Sequence, residues 1–263
     1  MRKVIAVVVV ASLFYFTVGS WVYARLTYEF VPFLGNSQIL YERGAEDLAK
    51  SVNINFAESL AKVVKRQYLP FKDVKAIRIY VFNDRKRYAA FSRASALTRG
   101  SATTHEVYLS ERLREQIVTL PHILAHELSH VHIRQHTGAY QYLTNIPSWF
   151  LEGLAVSVSS GGGAENVTVE QAQMAIRNGL KFEPDDSGRL LGPKSARSYG
   201  LEPHMYYRQA NVFVDYLNNL NPVGFEAALK DVLNGTSFQE VWKKHYGQSI
   251  LELWLRFEKS LSA

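Results

Sequence analysis

His126-Glu127-Leu128-Ser129-His130 sets two imidazoles four residues apart with a carboxylate between them. On a helix, residues four apart share a face, so both imidazoles can reach one metal ion. Glu127 is next to His126 and can address a water held at that ion. This is the two-histidine zinc arrangement with a glutamate general base. The apolar neighbours Ile123-Leu124-Ala125 and Val131 predict that the motif lies on a buried helix. A catalytic zinc takes three protein ligands and leaves one position for water. The candidate third ligand is Glu152, which stands in the otherwise apolar stretch Ser148-Trp149-Phe150-Leu151-Glu152-Gly153-Leu154-Ala155. A carboxylate is costly to bury unless it is paired or metal-bound. The competing reading of Glu152 is a structural ion pair or a solvent-facing side chain.

Composition narrows the field around that motif. The chain has 263 residues and no cysteine, which excludes disulfides, a thiol nucleophile, Cys-ligated zinc and iron–sulfur clusters. Any metal site must be built from histidines and carboxylates. The formal charge is +6. Arg2, Lys3 and Arg25 supply +3 of it with no acid among residues 1–25, leaving 6 − 3 = +3 for the rest. Basic residues are otherwise scattered, and no recognition helix, zinc finger or aromatic–basic motif points to nucleic acid.

Elements must position these groups. Apolar residues at three- and four-residue steps predict a helix over 38–66. Alternation of Ile77, Ile79 and Val81 predicts a half-buried strand over 74–82, followed by a short helix to about Phe91. Residues 92–101 read as a loop and 103–110 as a polar edge strand able to pair with an extended peptide. Helices are predicted over 111–136, 148–159, 168–180, 205–219, 223–233, 237–245 and 249–261. Gly161-Gly162-Gly163 reads as a flexible break, and 181–203 as a long loop that could act as a lid. Trp149, Trp242 and Trp254 are expected in the core. His122 is expected to be a core or solvated histidine, and Arg197, Arg208 and Lys194 to be ordinary solvated charge.

The N-terminus carries a separate expectation. After Arg2 and Lys3, the run from Val4 to Ala24 is interrupted only by Ser12, Thr17, Gly19 and Ser20. That length suits a transmembrane helix, and the basic flank predicts a cytoplasmic N-terminus. Residues 1–25 are thus expected to be a signal-anchor, 26–37 a linker and 38–263 the folded domain, placed in the periplasm or outside the cell. The alternative is secretion after signal-peptide cleavage near Val22-Tyr23-Ala24.

The motif pair, Leu124-Ala125-His126-Glu127-Leu128-Ser129-His130-Val131 and Trp149-Phe150-Leu151-Glu152-Gly153-Leu154-Ala155, resembles the gluzincin metallopeptidases, and within them the peptidase MA-like group. A weaker likeness continues through Tyr207-Arg208-Gln209-Ala210-Asn211 and 235–254. The resemblance implies one zinc ion (Zn2+) bound by His126, His130 and Glu152, with Glu127 as base. It also implies an oxyanion-stabilising group from a downstream helix, best matched by Tyr207, with Tyr206 and His204 close by. Many gluzincins place an aspartate four residues after the third ligand, where it orients a ligand histidine. Here Val156 stands there, so the orienting groups must come from elsewhere, a backbone carbonyl or Asn211. The expected fold is a mainly helical α+β, zincin-like domain with a small sheet ahead of the active-site helix. The expected activity is a membrane-anchored or exported zinc peptidase acting on a peptide or protein substrate. The alternatives are a catalytically silent scaffold of the same fold, or a metal-dependent hydrolase of a non-peptide substrate.

Overall fold

The computed structural model describes residues 18–261. An eight-residue helix, α1 (Ser20–Thr27), precedes β1 (Val31–Phe33) and β2 (Asn36–Tyr41). Then come α2 (Glu46–Gln67), β3 (Arg78–Val81), α3 (Arg85–Ser92), β4 (Gly100–Ala102) and β5 (Glu106–Leu109). The rest is helical: a 3₁₀ segment (Glu111–Thr119), α4 (Leu120–Thr144), α5 (Ser148–Val158), α6 (Val169–Arg177), a 3₁₀ turn (Ala196–Tyr199), α7 (Pro203–Leu220), α8 (Pro222–Leu233), α9 (Phe238–Tyr246) and α10 (Ile250–Leu261). The architecture is a mainly helical α+β fold with one small sheet, as the sequence predicts.

The sheet order is β1-β2-β3-β5-β4. β2, β3 and β5 run parallel, and the flanking strands β1 and β4 pair antiparallel to their neighbours. Ile39, Ile79, Val81, Val107 and Leu109 bury one face against α2 and α4. Tyr108, Phe82 and Tyr80 cover the other face together with Phe91, Phe30 and Ala24. A second core cluster gathers Trp149, Phe150, Phe213, Phe225, Trp242 and Trp254 from the helices that follow α4. The three tryptophans sit in this core, as expected.

The N-terminal expectations need correction. Among the described residues no helix is long and apolar enough to cross a membrane. Residues 1–17, most of the apolar run, lie outside the described residues. The end of that run belongs to the fold: Ala24 is fully buried, and Arg25 makes a bidentate pair with Glu106 at 2.9 Å for each bond. Its guanidinium lies 4.0 Å from the Phe91 ring centre. The N-terminal transmembrane helix is therefore not supported, and the single-pass topology and outward placement that rested on it fall with it. Cleavage after Ala24 would cut within α1. The expected linker 26–37 holds β1 and the start of β2. The helix expected over 38–66 begins only at Glu46, because Ile39 to Tyr41 pair in register with Ile79 to Val81. The expected edge strand, now β5, is interior, and its neighbour β4, in the expected loop, forms the edge.

The Arg25 pair fixes α1 to the sheet. Burial pushes the Glu106 carboxyl up, but the Arg25 guanidinium and the Tyr108 hydroxyl outweigh it and hold the group below its ordinary range. A depressed carboxylate pKa gives stability that is complete above the unfolded value and is lost as pH falls through the folded one. Arg25→Ala is expected to cost about 1–3 kcal/mol near neutral pH, because it leaves Glu106 partly buried without its cation. Urea denaturation across pH checks this: the gap between wild type and variant should narrow in acid.

Candidate metal centre

α4 carries the motif because its faces are buried on two sides. Ile123, Leu124, Leu128 and Val131 point into the core shared with the sheet and α2, while Ile133 joins the second cluster. Pro121 sits in the first turn, where its missing N–H costs nothing. Gln67 at the end of α2 donates to Ser129 Oγ at 2.6 Å and locks the two helices together within the motif itself.

His126, Glu127 and His130 are 5%, 8% and 7% exposed. The two Nε2 atoms stand 3.2 Å apart. Glu152 Oε2 lies 3.3 Å from His126 Nε2 and 3.7 Å from His130 Nε2. Two imidazole nitrogens and one carboxylate oxygen thus converge on a single point, all within 4.8 Å of one another. The group could hold a metal ion. Its donor set of two nitrogens and an oxygen suits a divalent cation, and so does the direction of the remaining hydrogen bonds, which all run outward. Without a cation the site holds charge on its own groups. Against the burial penalty, Glu152 pushes His126 up to about 9. Burial acts to raise Glu152, and the two histidines overcome it, holding its carboxyl far below the usual range. Burial raises Glu127.

Each ligand histidine is oriented from behind. His126 Nδ1 donates to the Gly162 carbonyl at 2.8 Å, which leaves Nε2 as the nitrogen facing Glu152. His130 Nδ1 bonds the Tyr142 hydroxyl at 3.0 Å. The backbone carbonyl was one of the two partners expected from sequence. Asn211 is not the other: it bonds Arg208 and Asp215 instead. Gly161-Gly162-Gly163 is a close-fitting turn rather than a flexible break. A Cβ on Gly162 would lie 2.6 Å from the His122 carbonyl oxygen, and Gly163 has φ +86° with the His126 ring at 3.0 Å from a Cβ. Arg208 braces this turn through the Ala164 and Val167 carbonyls, so it is structural rather than solvated. His122 caps the end of α5 through the Ser159 carbonyl and stays outside the ligand group.

Tyr142 reaches His130 because α4 breaks at Gly138, where φ is +73° and ψ 162°. A continuous helix would carry residue 142 about 18 Å past residue 130. That conformation is open to glycine and costly for other residues. After the break the chain folds back, and Arg134 stacks 4.2 Å over the Tyr142 ring.

α5 delivers Glu152 from the other side. The next residue is Gly153, and a Cβ there would lie 2.6 Å from the Ala210 carbonyl oxygen of α7. The two helices therefore touch backbone to backbone, which brings Tyr207, one turn before Ala210, beside the site. The Tyr207 ring centre is 6.2 Å from that of His126. The Glu152 charge, then burial, holds its phenol well above the ordinary range, so it stays a donor. Tyr206 is buried against Phe182 and Tyr199 and does not line the site. His204 does line it, with Nδ1 accepting from the Asn166 N–H at 3.2 Å.

These residues floor a cleft of about 490 Å³. Residues 97–102, including β4, form one wall, and Gly163, His204 and Tyr207 form another. β5 occupies one edge of β4; the strand order leaves the other free. Arg99 O accepts from Ser110 N, just past β5, and Thr103 N donates to Glu106 O, so by antiparallel alternation Ser101 also faces β5, and the main-chain groups of Gly100 and Ala102 point to the free edge. Of residues 181–203, only Pro203 lines the cleft; Phe182 and Asp185 pack behind α5 instead. Sequence reasoning missed Tyr142, Arg134 and β4. A glycine eight residues after His130 was the available signal for the first.

No family model matches this chain, and neither a curated protein nor a solved structure is significantly similar to it. The gluzincin likeness therefore stays a resemblance carried by the motif residues.

Glu152→Ala should abolish tight binding of a divalent metal, whereas Tyr142→Phe should weaken it about 10–100-fold by freeing the His130 ring. Competition titration with a chromophoric chelator measures both, with circular dichroism reporting that the fold is kept.

Proposed function

We propose that this chain is a zinc-dependent hydrolase of peptide bonds. The observation that carries the reading is the convergence of His126, His130 and Glu152 beside a buried carboxylate that belongs to none of them, Glu127, at the floor of a cleft with a free strand edge. When bound by these three residues, zinc would supply Lewis acidity, polarising a carbonyl and lowering the pKa of water towards about 7.

The chain's own residues do the rest. Glu127 accepts a proton from the attacking water and returns it to the departing amine. Its burial raises its proton affinity, which brings a carboxylate closer to the range where it both takes and gives a proton near neutrality. A Cβ at Gly100 would lie 2.8 Å from Glu127 Oε1, so only a glycine lets β4 lie this close to the base. Tyr207 offers a protonated hydroxyl to the oxyanion that develops on the carbonyl oxygen. His204 Nε2 carries the proton in the neutral ring, because Nδ1 is accepting, and is the second donor on that wall. An extended substrate can add as a strand to β4 through the Gly100 and Ala102 main chain. That free edge supports a peptide over a non-peptide substrate.

Glu127→Gln separates an enzyme from a silent scaffold. The variant should keep its metal affinity and lose cleavage of a quenched-fluorescent peptide library by about 10²–10⁴-fold. Cleavage at the wild-type rate would overturn the base assignment. Tyr207→Phe should lower kcat about 10²-fold with KM little changed, since the phenol acts on charge that develops in the transition state. A change confined to KM would assign it to substrate binding instead.

A further inference from the structure

Two arginines line the cleft. Arg99 is neutralised by Glu165 at 2.7 Å and further fixed by Thr119. Arg134 has no carboxylate within ion-pair distance among the described residues, and its Nε is buried without a hydrogen-bond partner. Arg134 is half-buried, and a buried donor on it left without a partner is costly. Yet it is not free to swing out: its planar group is stacked on the Tyr142 ring, which the His130 hydrogen bond holds in turn. Arg134 follows His126 and His130 at the same four-residue step, so it lies on the same face of α4, about 6 Å further along the axis than His130. An extended peptide covers that distance in about two residues. The paired Arg99 lies near Ile123 at the other end of the same face, through Gly100. The two ends of the cleft thus differ in kind: one holds a cation paired with a carboxylate, the other a cation without one.

We propose that Arg134 is a specificity-determining residue that binds a carboxylate of the substrate within about two residues of the bond that is cut. This rests on the peptidase reading for its placement beside a scissile bond, but not for the binding itself. The fork of donors on a guanidinium matches a carboxylate in two parallel hydrogen bonds, and the stacked ring fixes its plane in advance. The carboxylate is either a chain terminus or an acidic side chain; both present the same two oxygens.

The test compares matched peptides: free acid against C-terminal amide, and Glu against Gln at each of the two positions on either side of the cut. Wild type should favour the carboxylate member of one pair by at least tenfold in kcat/KM. The terminus pair and the side-chain pairs distinguish the two sources. In Arg134→Gln that ratio should fall to near one, because the carboxylate member loses more than the uncharged one, and zinc affinity should be kept. Arg134→Lys should restore part of the ratio. A structural role would lower both members equally, and that outcome, or a wild type indifferent to all the pairs, overturns the proposal. If wild type cleaves no peptide, the peptidase reading fails on its own. Calorimetric binding of the same acid and amide peptides to zinc-loaded Glu127→Gln then decides: retained preference that Arg134→Gln removes supports the arginine's role, and equal affinities or no binding overturn it.

Discussion

Two imidazole nitrogens held 3.2 Å apart, with a carboxylate oxygen pressed against both, are the constraint on which the rest of the molecule depends. Left to themselves these groups would separate and hydrate. They stay together because each rides on a helix whose other faces are committed elsewhere. α4 spends one face on the sheet and α2, and its second on α5. α5 is buried along nearly its whole length and touches α7 backbone to backbone at Gly153. The small sheet, with both faces covered by apolar and aromatic side chains, is the platform against which α4 is registered.

Around that point the supporting groups come from three separate turns of chain. The glycine turn after α5 brings the Gly162 carbonyl to His126. The break at Gly138 brings the Tyr142 hydroxyl to His130. The segment just before β4 brings Arg99 to Glu165 and closes one side of the cleft. In each case a local departure from regular structure, rather than a helix or strand interior, supplies the partner. The positive-φ glycines Gly138, Gly161 and Gly163 are among the backbone departures that serve the ligand histidines.

The four-residue step of His126 and His130, the isolated acid at Glu152 in an apolar helix, and the aromatic cores were legible in sequence because each is a short-range periodicity. The remainder was not, for physical reasons that can be named. β4 is three residues, Gly100 to Ala102, with none of the β-branched or aromatic character that marks a strand; it is a strand only because β5 offers it an edge. Residues 38–41 fit a helical pattern, and pairing with β3 overrode it. The apolar run at the N-terminus has a composition that reads as one unit, yet its end at Ala24 and Arg25 is bound into the sheet by a pairing across 81 residues of chain. Tyr142 lies too far along α4 for any helical spacing to connect it with His130.

The partners of the two ligand histidines differ in chemistry. A carbonyl oxygen only accepts, so Gly162 commits His126 to a proton on Nδ1. A phenolic hydroxyl both donates and accepts, so Tyr142 satisfies His130 in either neutral tautomer. One ring is thus set by the main chain, through a carbonyl that has no second tautomer to offer. The other can hand its proton from one nitrogen to the other while its neighbour simply turns its own O–H bond. The pair can pass from sharing a proton to sharing a cation without a single outward hydrogen bond being broken.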